Sequence, residues 1–202
     1  MLRAAILFLA GSLLALPATA QPSAAQDQVT ARKAMRSYAA CLLRTNSRVA
    51  LDILARPFGS DEQQELINRR VPGVRNCAAP GADLNAQALA GALSEAGLQA
   101  RFAATDVGRL TNLTPDTITI NALDPRNAQE ELGLCVVRRA PEAVRAWAAS
   151  EPGSVQEANV RRALLPQISP CVDEGRPLRV DAAGLRAILS AGLYRALRQT
   201  RP

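Results

Sequence analysis

Histidine is absent from the 202-residue chain, and Lys33 is its single lysine. A chain without imidazole lacks the side chain most often used as general base beside a serine or cysteine nucleophile. It also lacks a common nitrogen ligand for zinc. Aromatic residues make up only 3% of the chain, so alanine and leucine must fill the core. Long β-branched runs are scarce as well, and this composition favours helix over sheet. No Gly-rich phosphate loop, nucleophile elbow or metal-binding helix motif occurs. Asp61-Glu62, Glu130-Glu131 and Asp173-Glu174 are sequence neighbours, and neighbours on a helix do not share a face. They are therefore poor candidates for the two separated carboxylates of a glycan hydrolase.

Basic residues exceed acidic ones by six, and the surplus is almost entirely arginine spread along the chain. Nucleic-acid binding calls for a concentrated basic face, so the charge reads as solubility with a weak preference for anionic surfaces.

At the start, Arg3, the apolar stretch from Ala4 to Leu16 and the small residues Ala18-Thr19-Ala20 have the order of a secretory signal peptide. Its apolar core is shorter than the roughly 20 residues that span a bilayer. The expectation is an exported protein, periplasmic or secreted, cleaved near Ala20 and carrying no transmembrane anchor.

An exported chain is an oxidised one, and its four cysteines allow three pairings. Sliding the chain over itself by 94 positions lays Cys41 on Cys135 and Cys77 on Cys171. Arg44 then falls on Arg138, Gly59-Ser60 on Gly153-Ser154, and Pro72 on Pro166. After a two-residue insertion, Leu89, Leu93 and Ser94 fall on Leu185, Leu189 and Ser190. This self-similarity points to duplication. Each ancestral unit would have closed its own bond, which selects Cys41 with Cys77 and Cys135 with Cys171. The cysteines are too widely spaced for an ordinary zinc site, and a catalytic thiolate would lack an activating base.

The expected fold is therefore all-α: an internally duplicated helical bundle of about four helices per half, each half stapled by one disulfide. Residues 1–20 form the signal peptide, 21–98 the first repeat, 99–123 an inter-repeat segment and 124–202 the second repeat. Within the first repeat, Ala31, Ala34, Met35, Tyr38, Cys41 and Leu42 recur at helical spacing and place Cys41 on a buried face. Asp124-Pro125 reads as a cap followed by proline at the first helical position. Ser47 and Pro141 open short second helices. Ser60 with Gln63, and Ser154 with Glu157, form capping boxes, and the helices they open end near Pro72 and Pro166. Asn85 and Asp181 cap the fourth helices. Between the repeats, Thr117 to Ile120 alternates as a short strand does, which allows a hairpin with the "GRLTNL" stretch.

Features matched between the halves serve the scaffold, whereas unmatched ones are where function can be added. Arg44 and Arg138, each near a helix C-terminus, belong to the scaffold. Trp147, Tyr38, Tyr194 and Phe58 align with Ile53, Leu132, Leu98 and Pro152, which marks them as core. The arginine clusters Arg69-Arg70-Arg75 and Arg195-Arg198-Arg201 read first as solvated faces. The unmatched end of the chain nominates Tyr194, Arg195 and Arg198 as a partner surface. The expected function is a non-catalytic helical protein that binds another protein in the envelope or outside the cell. The alternative is a carrier with a lipid or small apolar ligand between its helices, and a histidine-free envelope hydrolase stands third. No cofactor, metal or nucleic acid is expected.

Overall fold

The computed structural model describes residues 24–78, 85–111, 123–172 and 179–200. All regular structure among them is helical. In chain order it comprises α1 Ala24–Thr45, α2 Ser47–Ala55, α3 Asp61–Arg70, α4 Ala86–Arg101, the short α5 Gly108–Thr111, α6 Ala128–Arg139, α7 Pro141–Ala149, α8 Val155–Ile168 and α9 Ala182–Gln199, with single 3-10 turns after α3, α4 and α8. Two disulfides join Cys41 to Cys77 and Cys135 to Cys171.

Helix starts follow local chemistry. Asn85, Ser60, Ser154 and Asp181 each accept a hydrogen bond from the backbone N–H three residues on, satisfying one of the orphan donors of a first turn. The capping boxes close differently from the expected pattern: Gln63 and Glu157 accept from Gly59 N and Gly153 N, one residue before the cap. That shift is tied to φ values of 73° at Gly59 and 81° at Gly153, a left-handed conformation that glycine adopts without a Cβ penalty.

α4 and α9 form the centre, with α1 packed on α4 and α6 packed on α9. Both central helices are buried around most of their circumference because other helices cover them on several sides. Small residues permit the approach. Gly91 faces Ala187 and Gly97 faces the Tyr194 ring, so α4 and α9 run in the same sense. Between α6 and α9, a Cβ on Gly192 would stand 2.8 Å from the Gly133 backbone carbon, and one on Gly133 would stand 2.8 Å from the Ile188 oxygen.

The two parts of the chain also clasp each other. The loop around Phe58 is held by the start of α6: Asn127 Nδ2 donates to Phe58 O (2.9 Å), Phe58 N donates to Glu130 Oε1 (3.1 Å), and Arg126 Nη1 donates to Ala55 O (3.1 Å). The loop between α7 and α8 is in turn held by α1, where Arg36 Nη1 donates to Ser150 O at 2.8 Å and Arg32 pairs with Glu157.

Several boundaries differ from expectation. Asn127, not Asp124, caps α6 by accepting from Glu130 N, while the Asp124 carbonyl is taken by Arg195 Nη2. α2 starts at Ser47 after Asn46, and Asn46 makes no side-chain cap bond. α8 continues through Pro166 to Ile168. The carbonyl deprived of a donor there is that of Arg162, an exposed residue, where solvent can replace the lost bond at less cost than in a core. Gly108–Thr111, half of the anticipated hairpin, is helical, and Thr117 to Ile120 lies outside the described residues.

Candidate functional site

Arg32 and Arg36 are four residues apart on α1 and hence neighbours on one face. Opposite them stand Glu95 of α4, Arg186 of α9 and Glu157 in the first turn of α8. Arg186 is only 3% exposed, yet all five of its N–H donors are engaged. Nε and Nη2 hold Glu95 at 2.6 and 3.0 Å. Nη1 donates to Glu157 Oε1 at 2.8 Å and to Ser150 Oγ at 3.3 Å. Nη2 also reaches Ala148 O and Ser150 O, at 3.1 and 2.8 Å. Arg36 Nε lies 3.2 Å from Glu95, and Arg32 takes Glu157 with both terminal nitrogens at 2.6 and 3.0 Å.

Burial acts differently on each group. It pushes the Glu95 carboxyl up, against the opposing pull of Arg186 and Arg36. Burial also works against the charge on Glu157, but the bonds from Arg32, Gly153 N–H and Arg186 outweigh it and lower that pKa to about 2. For Arg186, burial is overcome by Glu95 and Glu157, and the guanidinium is held above its ordinary value. A second cluster surrounds Glu130: burial is outweighed there by Arg126, Phe58 N–H and Arg195, and the carboxyl lies below its ordinary range.

Beside the first cluster, a cavity of about 480 Å³ opens between α1, α4 and the beginning of α9. Arg36, Glu95 and Arg186 contribute to its polar side and Ala31, Met35, Ala88, Ala92 and Ala187 to its apolar side, with Arg32 and Arg179 also on the lining. A second, more open depression involves Leu43 and Arg44 of α1 and Gln99 and Arg101 of α4.

The residues nominated for a partner surface do not form one exposed patch. Tyr194 is 2% exposed and packs edge-to-face on Phe102, with ring centroids 5.8 Å apart. Arg195 donates to Glu130 Oε2 and Asp124 O, both at 2.6 Å. Arg198 is exposed. The expectation of exposure is thus corrected for two of the three, because α9 is a central helix whose apolar stripe carries Tyr194 inward. Trp147, Tyr38 and Phe58 are buried together with their aligned partners Ile53, Leu132 and Pro152, as residues of a core should be. Arg69, Arg70 and Arg75 are exposed. The four cysteines are confined to the two disulfides. Glu130 is buried and Glu131 exposed, so these adjacent carboxylates have different environments.

Sequence reasoning missed Glu95, Arg186 and Glu157 as members of one network. The usable signal was present: Glu95 and Arg186 interrupt apolar runs, and the repeat alignment sets Ala191 and Ala90 against them. Their mutual contact, across 91 residues, had no sequence signature. Among the described residues no group of three or more acidic, cysteine or histidine side chains is arranged to hold a metal ion, and no helix is long and apolar enough to cross a membrane. Comparison with protein-family models, curated proteins and solved structures finds no match to the chain. The class defined here is structural: an all-α bundle with two disulfides.

Proposed function

We propose that the protein is an exported, internally duplicated binding protein that holds a small ligand in the cavity between α1, α4 and α9 and performs no chemistry on it. The cavity carries this reading. It combines a largely apolar wall with a few charged groups, the composition of small-molecule sites. The buried carboxylates nearby are committed to arginines and backbone N–H groups, which favours a structural role for them over proton transfer. Duplication is supported by the equal 36-residue disulfide spacing and by the left-handed glycine and capping serine found at both Gly59-Ser60 and Gly153-Ser154. Export is supported by the signal-like beginning and agrees with paired cysteines.

A second reading, docking to another protein, is favoured by Val155 and Leu165 of α8, which are 77% and 55% exposed. Native mass spectrometry of gently purified protein separates the two. A co-purifying small molecule supports the carrier and a co-purifying polypeptide the docking protein, while recovery of neither removes support from both. An intact mass beginning at Gln21 is expected for exported protein, and retention of residues 1–20 would overturn the export reading.

A further inference from the structure

We infer that the ligand of this cavity is an anionic amphiphile, its hydrocarbon chain against the small-residue wall and its acid head among Arg32, Arg36 and Arg179. The inference rests on the carrier reading and gives that ligand a chemical class. The wall offered by Met35, Ala88, Ala92 and Ala187 presents hydrocarbon and little else, so a compact inorganic anion would leave it uncovered. A wholly apolar molecule fails for the opposite reason. It would strip water from guanidinium groups without replacing the lost hydrogen bonds, and that is costly.

Those groups have donors to give. Arg32 uses both terminal nitrogens on Glu157, and its Nε donates to nothing among the described residues. Arg36 uses Nη1 on Ser150 O, with Glu151 3.6 Å from the same nitrogen, and sets Nε against Glu95, leaving Nη2 without an acceptor among the described residues. Arg179 is exposed at the lining and has no carboxylate partner among the described residues. Arg186, by contrast, is saturated, and its role is to hold Glu95 in place beneath Arg36. On the lining itself four guanidiniums face Glu95 and Asp181; Glu157 and Glu151 pair with Arg32 and Arg36 from behind, and Lys33 pairs with Glu151, so the surplus of positive charge lies on the cavity side.

Glu95 and Arg186 also stand against alanines in the aligned half. A buried ion pair is often no more stabilising than a well-packed apolar replacement. An unmatched pair beside a cavity is therefore better accounted for by what it positions than by the stability it adds.

The test is calorimetric titration of delipidated, oxidised full mature protein with decanoate, decyl phosphate and decanol. At least one of the two anionic probes is expected to bind about tenfold or more tightly than decanol, a difference of about 1.4 kcal/mol. In Arg179→Ala that preference should shrink several-fold with no change in melting temperature, and Ala88→Trp, which places an indole in the cavity, should abolish binding of every probe. Decanol binding as tightly as both anions, or a preference unmoved by Arg179→Ala, overturns the anionic head while leaving a carrier. Binding that survives Ala88→Trp in a folded variant places the probes elsewhere and overturns the inference. Failure of all three probes to bind the parent protein sinks both the inference and the carrier reading.

Discussion

Replacing Arg186 by methionine removes a guanidinium from the most heavily bonded polar position among the described residues and leaves two carboxylates behind. Among the described residues Glu95 keeps only the 3.2 Å ion pair to Arg36, while Glu157 keeps Arg32 and Gly153 N–H. Ser150 O retains Arg36, but Ala148 O loses its side-chain donor. Breaking a buried pair by removing one partner costs about 3–5 kcal/mol, because the remaining charge is uncompensated. In a chain of this size, 1 kcal/mol corresponds to about 2–4 °C in Tm, so the variant should melt about 6–20 °C lower. The double variant Glu95→Leu with Arg186→Met removes both members and should recover most of the loss, since an apolar pair of similar volume is often neutral. Far-UV circular dichroism during heating and in urea measures both. A single variant within about 0.5 kcal/mol of the parent, the range of an ordinary surface substitution, would mean that the network does not form. A double variant as unstable as the single would refute the argument from an orphaned charge.

Gly192→Ala should destabilise by about 1–3 kcal/mol through overpacking against the Gly133 backbone, whereas Gly73→Ala, where a Cβ meets nothing within 4 Å, should be nearly silent; equal effects in urea titration would contradict the close α6–α9 contact. Acid should unfold the protein partly through Glu157. Its pKa is lowered from 4.5 to about 2 on folding, so the stabilisation is present above pH 4.5 and is lost as pH falls toward 2. Glu130 acts in the same direction, and Glu95, whose pKa is raised, opposes them. Glu157→Gln should therefore be less stable at neutral pH and show a shallower acid transition, and an unchanged pH profile would count against the Arg32–Glu157–Arg186 linkage. Each disulfide closes a separation of 36 residues, worth about 4 kcal/mol in the loop-closure model. Removing Cys135 and Cys171 together should lower Tm markedly, and non-reducing peptide mapping of the parent should recover only the two within-half links.

Cysteine spacing, proline and glycine positions and the three-four apolar rhythm were enough to read the helical class, both disulfide pairings and the caps at Asn85, Ser60, Ser154 and Asp181. These are local or one-dimensional properties. A cap needs only an oxygen within reach of a nearby N–H, and a repeated spacing is visible without folding the chain. Asp124 and Asn127 are both short polar residues ahead of α6, and the cap is Asn127, whose side chain accepts from Glu130 N and is also anchored by donating to Phe58 O across 69 residues. Tertiary structure likewise decided that Tyr194 turns inward, that Glu95, Glu157 and Arg186 meet, and that a cavity lies beside them. A charged residue in an apolar helix is tolerated only when its partner is also brought inside. The identity of that partner is a property of helix packing, because no local interaction along α4, α8 or α9 can select it.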